Sequence, residues 1–254
     1  MAFQLSMNMH YKYLFLSPFI PGWFFVVDML LIKSILDSQE RDGINGELVE
    51  LGAYCGKSSI WIGLCKPNSQ PYLFDIFENR METHSSQVYK DLYRLKLETW
   101  LERFRLNCHI LSQDSSHLPF YLRDKKIQLI HIDASHLTSD VLNDLIYAES
   151  LLIQGGFIVI DDWMNPTDPG VSKAIWKFLT ESKLSIAFCS PNKMYLTTVS
   201  DFHLLQPHSR FLRKKLVYVD YDLAFNIYYL KGFVSVMSKF LSLLGRVRVK
   251  SKLY

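Results

Sequence analysis

The chain has 254 residues, of which 49% are hydrophobic and 21% are charged, a composition typical of a globular protein. Its length favours one α/β domain with an extension over two independent domains. The four cysteines show no paired CxxC spacing, which argues against a zinc site and a disulfide framework and favours a reducing cytoplasm.

The ends of the chain differ from its middle in charge and hydropathy. The net charge is +3, yet residues 207–254 contain ten Lys/Arg and two Asp, so this segment is basic and the rest is mildly acidic. Residues 13–32 are apolar enough to suggest a membrane span or a signal peptide. Pro18, Pro21 and Asp28 interrupt that run and no small-residue cleavage site follows. We therefore expect residues 1–45 to form an N-terminal arm and an amphipathic helix at about 23–37.

Short apolar runs alternate with helical patterns along residues 46–206. We predict strands at 47–51, 72–75, 109–111, 129–133, 157–161, 185–188 and 194–198, and helices at 57–65, 88–106, 139–152 and 172–180. This alternation predicts a Rossmann-like, doubly wound, mainly parallel seven-stranded sheet. The last two strands have only a short turn near Pro191 between them, which predicts a terminal antiparallel hairpin at the sheet edge.

The first predicted strand runs into a turn flanked by Gly52 and Gly56, where the backbone can approach a ligand closely. The following Lys57-Ser58 invites comparison with a phosphate-binding P-loop. However, three residues instead of four separate the two glycines, and Glu50 would repel phosphate. A cationic ligand fits this acid better. About twenty residues later, Asp75 ends the second strand, where a carboxylate can accept two hydrogen bonds from a ribose diol.

Acidic residues also follow later strands of the predicted sheet. Asp114 follows the third, Asp133 the fourth, and Asp161 and Asp162 the fifth. Because adjacent parallel strands lie about 4.8 Å apart, the last three side chains can converge on one point. Crowded carboxylates repel unless a cation bridges them, and oxygen ligands without sulfur suit Mg²⁺. The sequence therefore predicts a metal site at Asp133, Asp161 and Asp162.

The ordered set of Glu50, the Gly52–Gly56 turn and these acids resembles class I S-adenosylmethionine-dependent methyltransferases. More narrowly, residues 20–200 resemble the metal-dependent, macrocin-type small-molecule O-methyltransferases. The resemblance implies a cofactor, S-adenosylmethionine, with its methionine end at Glu50 and the turn, its ribose at Asp75 and its adenine at Asp114 and Ser115. In full, the cofactor-binding candidates are Glu50, Gly52, Ala53, Gly56, Ser58, Asp75, Asp114 and Ser115.

The same resemblance implies transfer of a methyl group to a hydroxyl of a small molecule or sugar, with Mg²⁺ on the acidic triplet. Many members carry a second acid two positions after the first, where this chain has Ser135. We therefore expect His136, together with Asp133, to be the catalytic residues, with His136 as the base. A nucleotide-dependent transferase that binds phosphate and a non-catalytic scaffold with this fold are the alternatives.

The C-terminal extension, residues 207–254, combines many apolar side chains with its excess of cations. We predict an amphipathic helix within residues 223–244, because a spanning helix would have to bury Lys231 and Lys239. Such a helix could pack on the core, on a second copy of the chain or on an anionic membrane surface. Nucleic-acid binding is not expected, because the cations lie outside any matching motif.

Overall fold

The computed structural model describes residues 2–77, 87–199, 216–220, 226–230 and 250–251, with side chains for residues 9–77 and 91–199. Its α-helices are α1 Ala2–Leu16, α2 Val26–Arg41, α3 Lys57–Cys65, α4 Gln87–Arg103, α5 Leu118–Leu122, α6 Thr138–Leu151 and α7 Pro169–Leu179. Its strands are β1 Glu47–Leu51, β2 Tyr72–Phe74, β3 His109–Leu111, β4 Ile127–Ile132, β5 Leu152–Ile160, β6 Ser185–Cys189, β7 Met194–Thr197, β8 Leu216–Asp220, β9 Asn226–Leu230 and β10 Lys250–Ser251. Within these described parts, no helix combines the length and apolar character needed to cross a membrane.

The seven predicted strands form one sheet in the order β6-β7-β5-β4-β1-β2-β3. Strands β5, β4, β1, β2 and β3 pair in parallel, and β7 runs antiparallel to both β5 and β6. The Rossmann-like arrangement and the antiparallel hairpin are therefore confirmed. Consecutive parallel strands need crossover helices, which is why a helix follows most of them.

The C-terminal extension differs from its predicted structure. Strand β9 lies within the segment predicted to be an amphipathic helix, so the helix prediction is wrong for residues 226–230. Strand β9 pairs with β6, and β8 and β10 continue the sheet beyond it. The hairpin is therefore not at the edge of the sheet as predicted. The rest of the predicted helix, 223–225 and 231–244, lies outside the described residues.

The N-terminal arm and β5 also depart from the predicted boundaries. The arm contains α1, which ends just before a short 3-10 helix at Ser17–Phe19. This 3-10 helix has Pro18 in its first turn. Strand β5 begins five residues earlier than predicted and includes Gly155, whose φ is +77°. Glycine within a strand weakens the sequence pattern, because it contributes no side chain to either face.

The sheet is buried on both faces, and strand alternation assigns each residue to one of them. Leu48, Leu129 and Phe157 pack in the core beneath α1–α4, whereas Val49 and Ile130 pack in the core beneath α5–α7. Since side chains alternate along a strand, residues two positions after the first three point towards the α1–α4 face. These residues are Glu50, His131 and Val159, so two polar side chains lie on a buried apolar face.

Gly52 is essential to the contact between β1 and the end of β4. Its φ is +87°, and a Cβ atom would collide with the carbonyl oxygen of Asp133. Gly43 provides a matched comparison, since its φ is +70° but its Cβ would meet nothing within 4 Å.

We predict that Gly52→Ala destabilises the fold far more than Gly43→Ala does. The Gly43 variant should lose about 1–2 kcal/mol, the cost of a left-handed alanine. The Gly52 variant adds a backbone collision to that cost, so its loss should exceed 3 kcal/mol, roughly the cost of a severe core defect. Urea unfolding of both variants measures the difference, and equal losses would contradict the steric argument.

Candidate active site

The turn after β1 is held in a left-handed conformation at three positions. Gly52, Tyr54 and Gly56 have φ angles of +87°, +47° and +85°. The N–H of Gly52 donates to the Phe74 carbonyl at 2.8 Å, which ties the turn to β2. Gly56 is the residue before α3, so the turn leads directly into the helix.

Asp75 links this turn to the end of β2. Its two carboxylate oxygens accept hydrogen bonds from the N–H groups of Tyr54, at 2.6 Å, and Phe77, at 2.5 Å. Burial raises the pKa of Asp75, and these two amides oppose that effect by stabilising the charged form. Asp75 therefore fixes the turn at the end of β2.

Glu50 is almost fully buried, with 1% of the residue exposed. Its carboxylate accepts hydrogen bonds from Ser58 Oγ at 2.5 Å, from Ser59 Oγ, and from His131 Nδ1 at 2.7 Å. These contacts attach the end of β1 to the first turn of α3. Lys57 turns away from the loop and donates to the Gly22 carbonyl at 2.9 Å, which argues against a P-loop.

Asp114 and Ser115 lie just beyond β3, next to the end of β2. The Asp75 N–H donates to the Leu111 carbonyl at 3.1 Å, which places these two strand ends side by side. The Asp114 side chain caps a 3-10 helix at Ser115–His117 by accepting the Ser116 N–H at 2.9 Å, and this bond lowers the pKa of Asp114.

The three predicted metal ligands lie at the ends of β4 and β5, but Asp161 and Asp162 belong to different groups of possible ligands among the described residues. Two overlapping groups have ligand atoms within 4.8 Å of one another, namely His131 with Asp133 and Asp161, and Asp133 with His136 and Asp162. Asp133 belongs to both groups. Burial raises the pKa of Asp133 well above its ordinary value, and the charge of Asp161 adds to this rise. Among the described residues, no donor forms a hydrogen bond to its carboxylate, and the charge of Lys193 opposes the rise in its pKa.

Sequence reasoning missed two residues at the centre of the site, His131 and Lys193. The Lys193 ammonium contacts the Asp161 carboxylate and lies 2.9 Å from His131 Nε2. Burial alone would lower the pKa of Lys193, but the charges of Asp161 and Asp133 raise it above its ordinary value. Lys193 therefore carries a positive charge. Its donation to Nε2 places the imidazole proton on Nδ1, from which it bonds to Glu50.

A detectable signal existed for His131 but not for Lys193. His131 interrupts an apolar strand two residues before Asp133, and it is the register partner of Glu50 in β1. Period-two alternation therefore places the three residues on one face. Lys193 follows Pro191-Asn192 in a hairpin turn, where a lysine normally extends into solvent.

The structure places His136, the predicted base, between two carboxylates. Its Nε2 lies 3.2 Å from Asp162 Oδ2, and its Nδ1 lies 3.1 Å from Asp168 Oδ1. The hydrogen bond to Asp162 raises the pKa of His136; Asp168 adds to this rise and partial burial opposes it. Asp168, which the sequence analysis did not select, precedes α7. That helix approaches closely because Gly170 lies against the His136 carbonyl, where a Cβ would collide.

The neighbouring Trp163 is a packing residue. It is 6% exposed, and its indole N–H donates to the Ser190 carbonyl at 2.9 Å. A small cavity at the ends of β4 and β5 is lined by Asp133, His136 and Asp161, among others. Two of the three candidate metal ligands, Asp133 and Asp161, therefore border this cavity.

Residues 49–163 match the model of a family described as a methyltransferase domain. This range includes the glycine turn, Asp75, Asp114 and all three acids of the predicted metal site. No curated protein sequence is significantly similar to the chain.

Similar solved structures include several methyltransferases. CalS11, described as a TDP-rhamnose 3'-O-methyltransferase of calicheamicin biosynthesis, is 19% identical with a TM-score of 0.52, over 78% of this chain and 94% of that one. Cofactor-bound Rv0187 from MTB is 14% identical with a TM-score of 0.55, over 75% and 89% of the two chains. An O-methyltransferase from Bacillus cereus in complex with SAH is 13% identical with a TM-score of 0.50, over 76% and 88%.

These similarities confirm the fold that the resemblance implied. The domain match and the strand order are consistent with each other, one from sequence and the other from topology. Residues 49–163 thus resemble a methyltransferase domain, and the chain has the Rossmann-like fold of the similar solved structures.

Proposed function

We propose that the protein transfers a methyl group from S-adenosylmethionine to a hydroxyl of a small molecule or sugar. The observation that carries this proposal is the position of the glycine turn and the acidic cluster at one edge of the parallel sheet, both within residues 49–163. In open α/β sheets, ligands bind beyond this edge. CalS11, which shares the fold, is described as acting on a sugar hydroxyl.

The residues around the glycine turn fit the cofactor. Gly52 and Gly56 leave the backbone of the turn without side chains, and Asp75 presents a half-buried carboxylate beside it. Glu50 would act mainly by fixing α3, because its carboxylate already accepts three hydrogen bonds. When bound, S-adenosylmethionine would supply the electrophilic methyl group, and the turn and Asp75 are the residues that would hold it.

We predict that Asp75→Ala weakens binding of S-adenosylhomocysteine by about 1.5–3 kcal/mol, the scale of losing a charge-assisted hydrogen bond. Asp124→Ala is the control, because Asp124 is exposed and precedes β4 at the opposite edge of the sheet. Isothermal titration calorimetry measures both dissociation constants. An unchanged constant for Asp75→Ala would remove this residue from the cofactor site, whereas no binding by the unmodified protein would favour a non-catalytic scaffold.

The acidic cluster fits a divalent cation. Asp133, Asp161 and Asp162 would carry three negative charges when all are ionised, and Lys193 compensates one of them. A divalent cation would balance the remaining two. A bound Mg²⁺ would lower the pKa of an acceptor hydroxyl. The chain itself contributes the carboxylates that would hold the cation and the cavity beside them.

We predict that exhaustive chelation with EDTA abolishes methyl transfer and leaves the affinity for S-adenosylhomocysteine unchanged within error. The reason is that the cation would serve the acceptor, whereas the cofactor binds along β1 and β2. An activity assay measures the loss of methyl transfer, and calorimetry on the same sample measures the affinity for S-adenosylhomocysteine. Readdition of Mg²⁺ is the control. Full activity after chelation would contradict the proposed metal dependence.

His136 is placed to accept the proton of the acceptor hydroxyl, because it borders the same cavity as Asp133. The ring can act as a base only in its neutral form, with Nε2 released from Asp162. Removal of that proton by His136 would leave a nucleophilic acceptor oxygen. S-adenosylmethionine would supply the methyl group and leave as S-adenosylhomocysteine, with positioning providing most of the acceleration.

We predict that His136→Gln lowers the rate of methyl transfer by about 10²–10⁴-fold, the usual contribution of a general base. His117→Gln is a control, because His117 is exposed and lies beyond β3. Single-turnover kinetics at saturating cofactor and acceptor measure the chemical step. A wild-type rate in the His136 variant would assign proton removal to solvent.

A further inference from the structure

Lys193 is a buried cation held firmly beside the acidic cluster. Its side chain is 1% exposed. The turn that carries it is closed by two hydrogen bonds, from Lys193 N to Ser190 Oγ at 2.9 Å and from Ser190 N to the Lys193 carbonyl at 2.8 Å. Trp163, the residue after Asp162, donates to the Ser190 carbonyl. These contacts fix the lysine relative to the acidic pair.

The ammonium group has several partners. It contacts the Asp161 carboxylate, lies 2.9 Å from His131 Nε2 and lies 5.6 Å from the centroid of the Phe24 ring. A lysine this deeply buried remains charged only if opposite charges compensate its desolvation. The Asp161 carboxylate is the closest of these charges, so the two groups form one internal ion pair.

Asp161 differs from the other two acids in how completely it is occupied. Its Oδ1 accepts the Asp162 N–H at 2.9 Å and its Oδ2 contacts Lys193. Its side chain is 14% exposed, compared with 32% for Asp162. The partly exposed Asp162 carboxylate lies 3.2 Å from His136 Nε2 and accepts a hydrogen bond from Asn165 Nδ2 at 3.3 Å. The described residues provide no hydrogen bond to Asp133.

We propose that Lys193 is a positioning residue that serves as the internal counter-ion of Asp161 and withdraws this carboxylate from the metal, leaving Asp133 and Asp162 to hold the cation. This inference deepens the proposed function and rests on it. Two carboxylates are sufficient, because Mg²⁺ usually keeps several waters and binds one or two protein carboxylates. Their two negative charges match those of a divalent cation.

The same lysine connects the acidic cluster at the ends of β4 and β5 to the glycine turn after β1. By donating to His131 Nε2, it directs the Nδ1 proton to Glu50, which in turn holds Ser58 and Ser59 at the start of α3. Lys193 therefore positions groups at both places without contacting a substrate.

Metal binding to the full-length protein, measured without acceptor, tests which of the three acids hold the cation. Mn²⁺ binding is followed by electron paramagnetic resonance and calorimetry for Asp133→Asn, Asp161→Asn and Asp162→Asn. We expect Asp133→Asn and Asp162→Asn to weaken Mn²⁺ binding more than tenfold, about 1.4 kcal/mol, and Asp161→Asn to change it less than about threefold. Losses of equal size for all three would overturn the proposal.

Absence of Mn²⁺ binding to the unmodified protein would also overturn it. That outcome is distinguishable from failure of the proposed methyltransferase function, because binding of S-adenosylhomocysteine and methyl transfer are measured separately.

Stability measurements test the ion pair itself. Lys193→Met would leave Asp161 buried without its counter-ion, which should lower Tm by roughly 6–20 °C. Adding Asp161→Asn removes the unpaired charge, so the double variant should regain part of that loss, whereas Lys177→Met, at an exposed position on α7, should change Tm little. A double variant less stable than Lys193→Met alone would contradict the counter-ion role. If Lys193→Met does not fold, the Mn²⁺ series on the Asp→Asn variants still decides.

Discussion

The candidate active site depends on burying ionisable groups in a face of the sheet that is otherwise apolar. Glu50, His131, Asp161 and Lys193 all lie on the side covered by α1–α4, and each satisfies its neighbour. A single charge of this kind would cost several kcal/mol in an apolar interior. Here the groups alternate as acid, imidazole, ammonium and acid. Each group therefore offsets the desolvation cost of its neighbour and fixes the orientation of that neighbour. These contacts fix Glu50 at the end of β1 and Asp161 at the end of β5 relative to one another.

The glycine turn and the acidic cluster are mechanically linked through the backbone. Gly52 packs against the Asp133 carbonyl, and the Asp133 N–H donates to the Leu51 carbonyl at 2.8 Å. The glycine turn and the acidic cluster therefore share a boundary where β1 and β4 end. A change in the turn would move Asp133, and a change at Asp133 would move the turn. The proposed methyl transfer would require such proximity, because the two reactants have to meet in line.

The sequence predicted the sheet well because its strands are short, apolar and bounded by turns, and because strand ends carry acids in order. It failed where contacts are made between distant segments. Lys193 resembles a solvated turn lysine until β7 places it beside Asp161. The pairing of His136 with Asp168 requires α7 to dock against the chain after β4, which follows from Gly170 and not from any local pattern.

The C-terminal extension illustrates a different reason for failure. Its run Asn-Ile-Tyr-Tyr-Leu at Asn226–Leu230 is short and mostly apolar, so it suits a buried strand and one turn of an amphipathic helix equally well. The outcome was decided by the second edge of β6, the edge that does not pair with β7, which is some forty residues earlier in the chain. Local periodicity contains no information about such a partner.

Recruitment of β9 by β6 has a consequence for solubility. Phe188 and Cys189 pair with Asn226 and Ile227, so the second half of β6 is covered by the extension. Without it, a row of backbone amides and carbonyls beside buried aromatic side chains would be presented to other molecules, the arrangement that promotes edge-to-edge aggregation. The extension thus acts as a protective cover for the sheet, and a shortened chain ending near residue 206 would expose a surface suited to self-association.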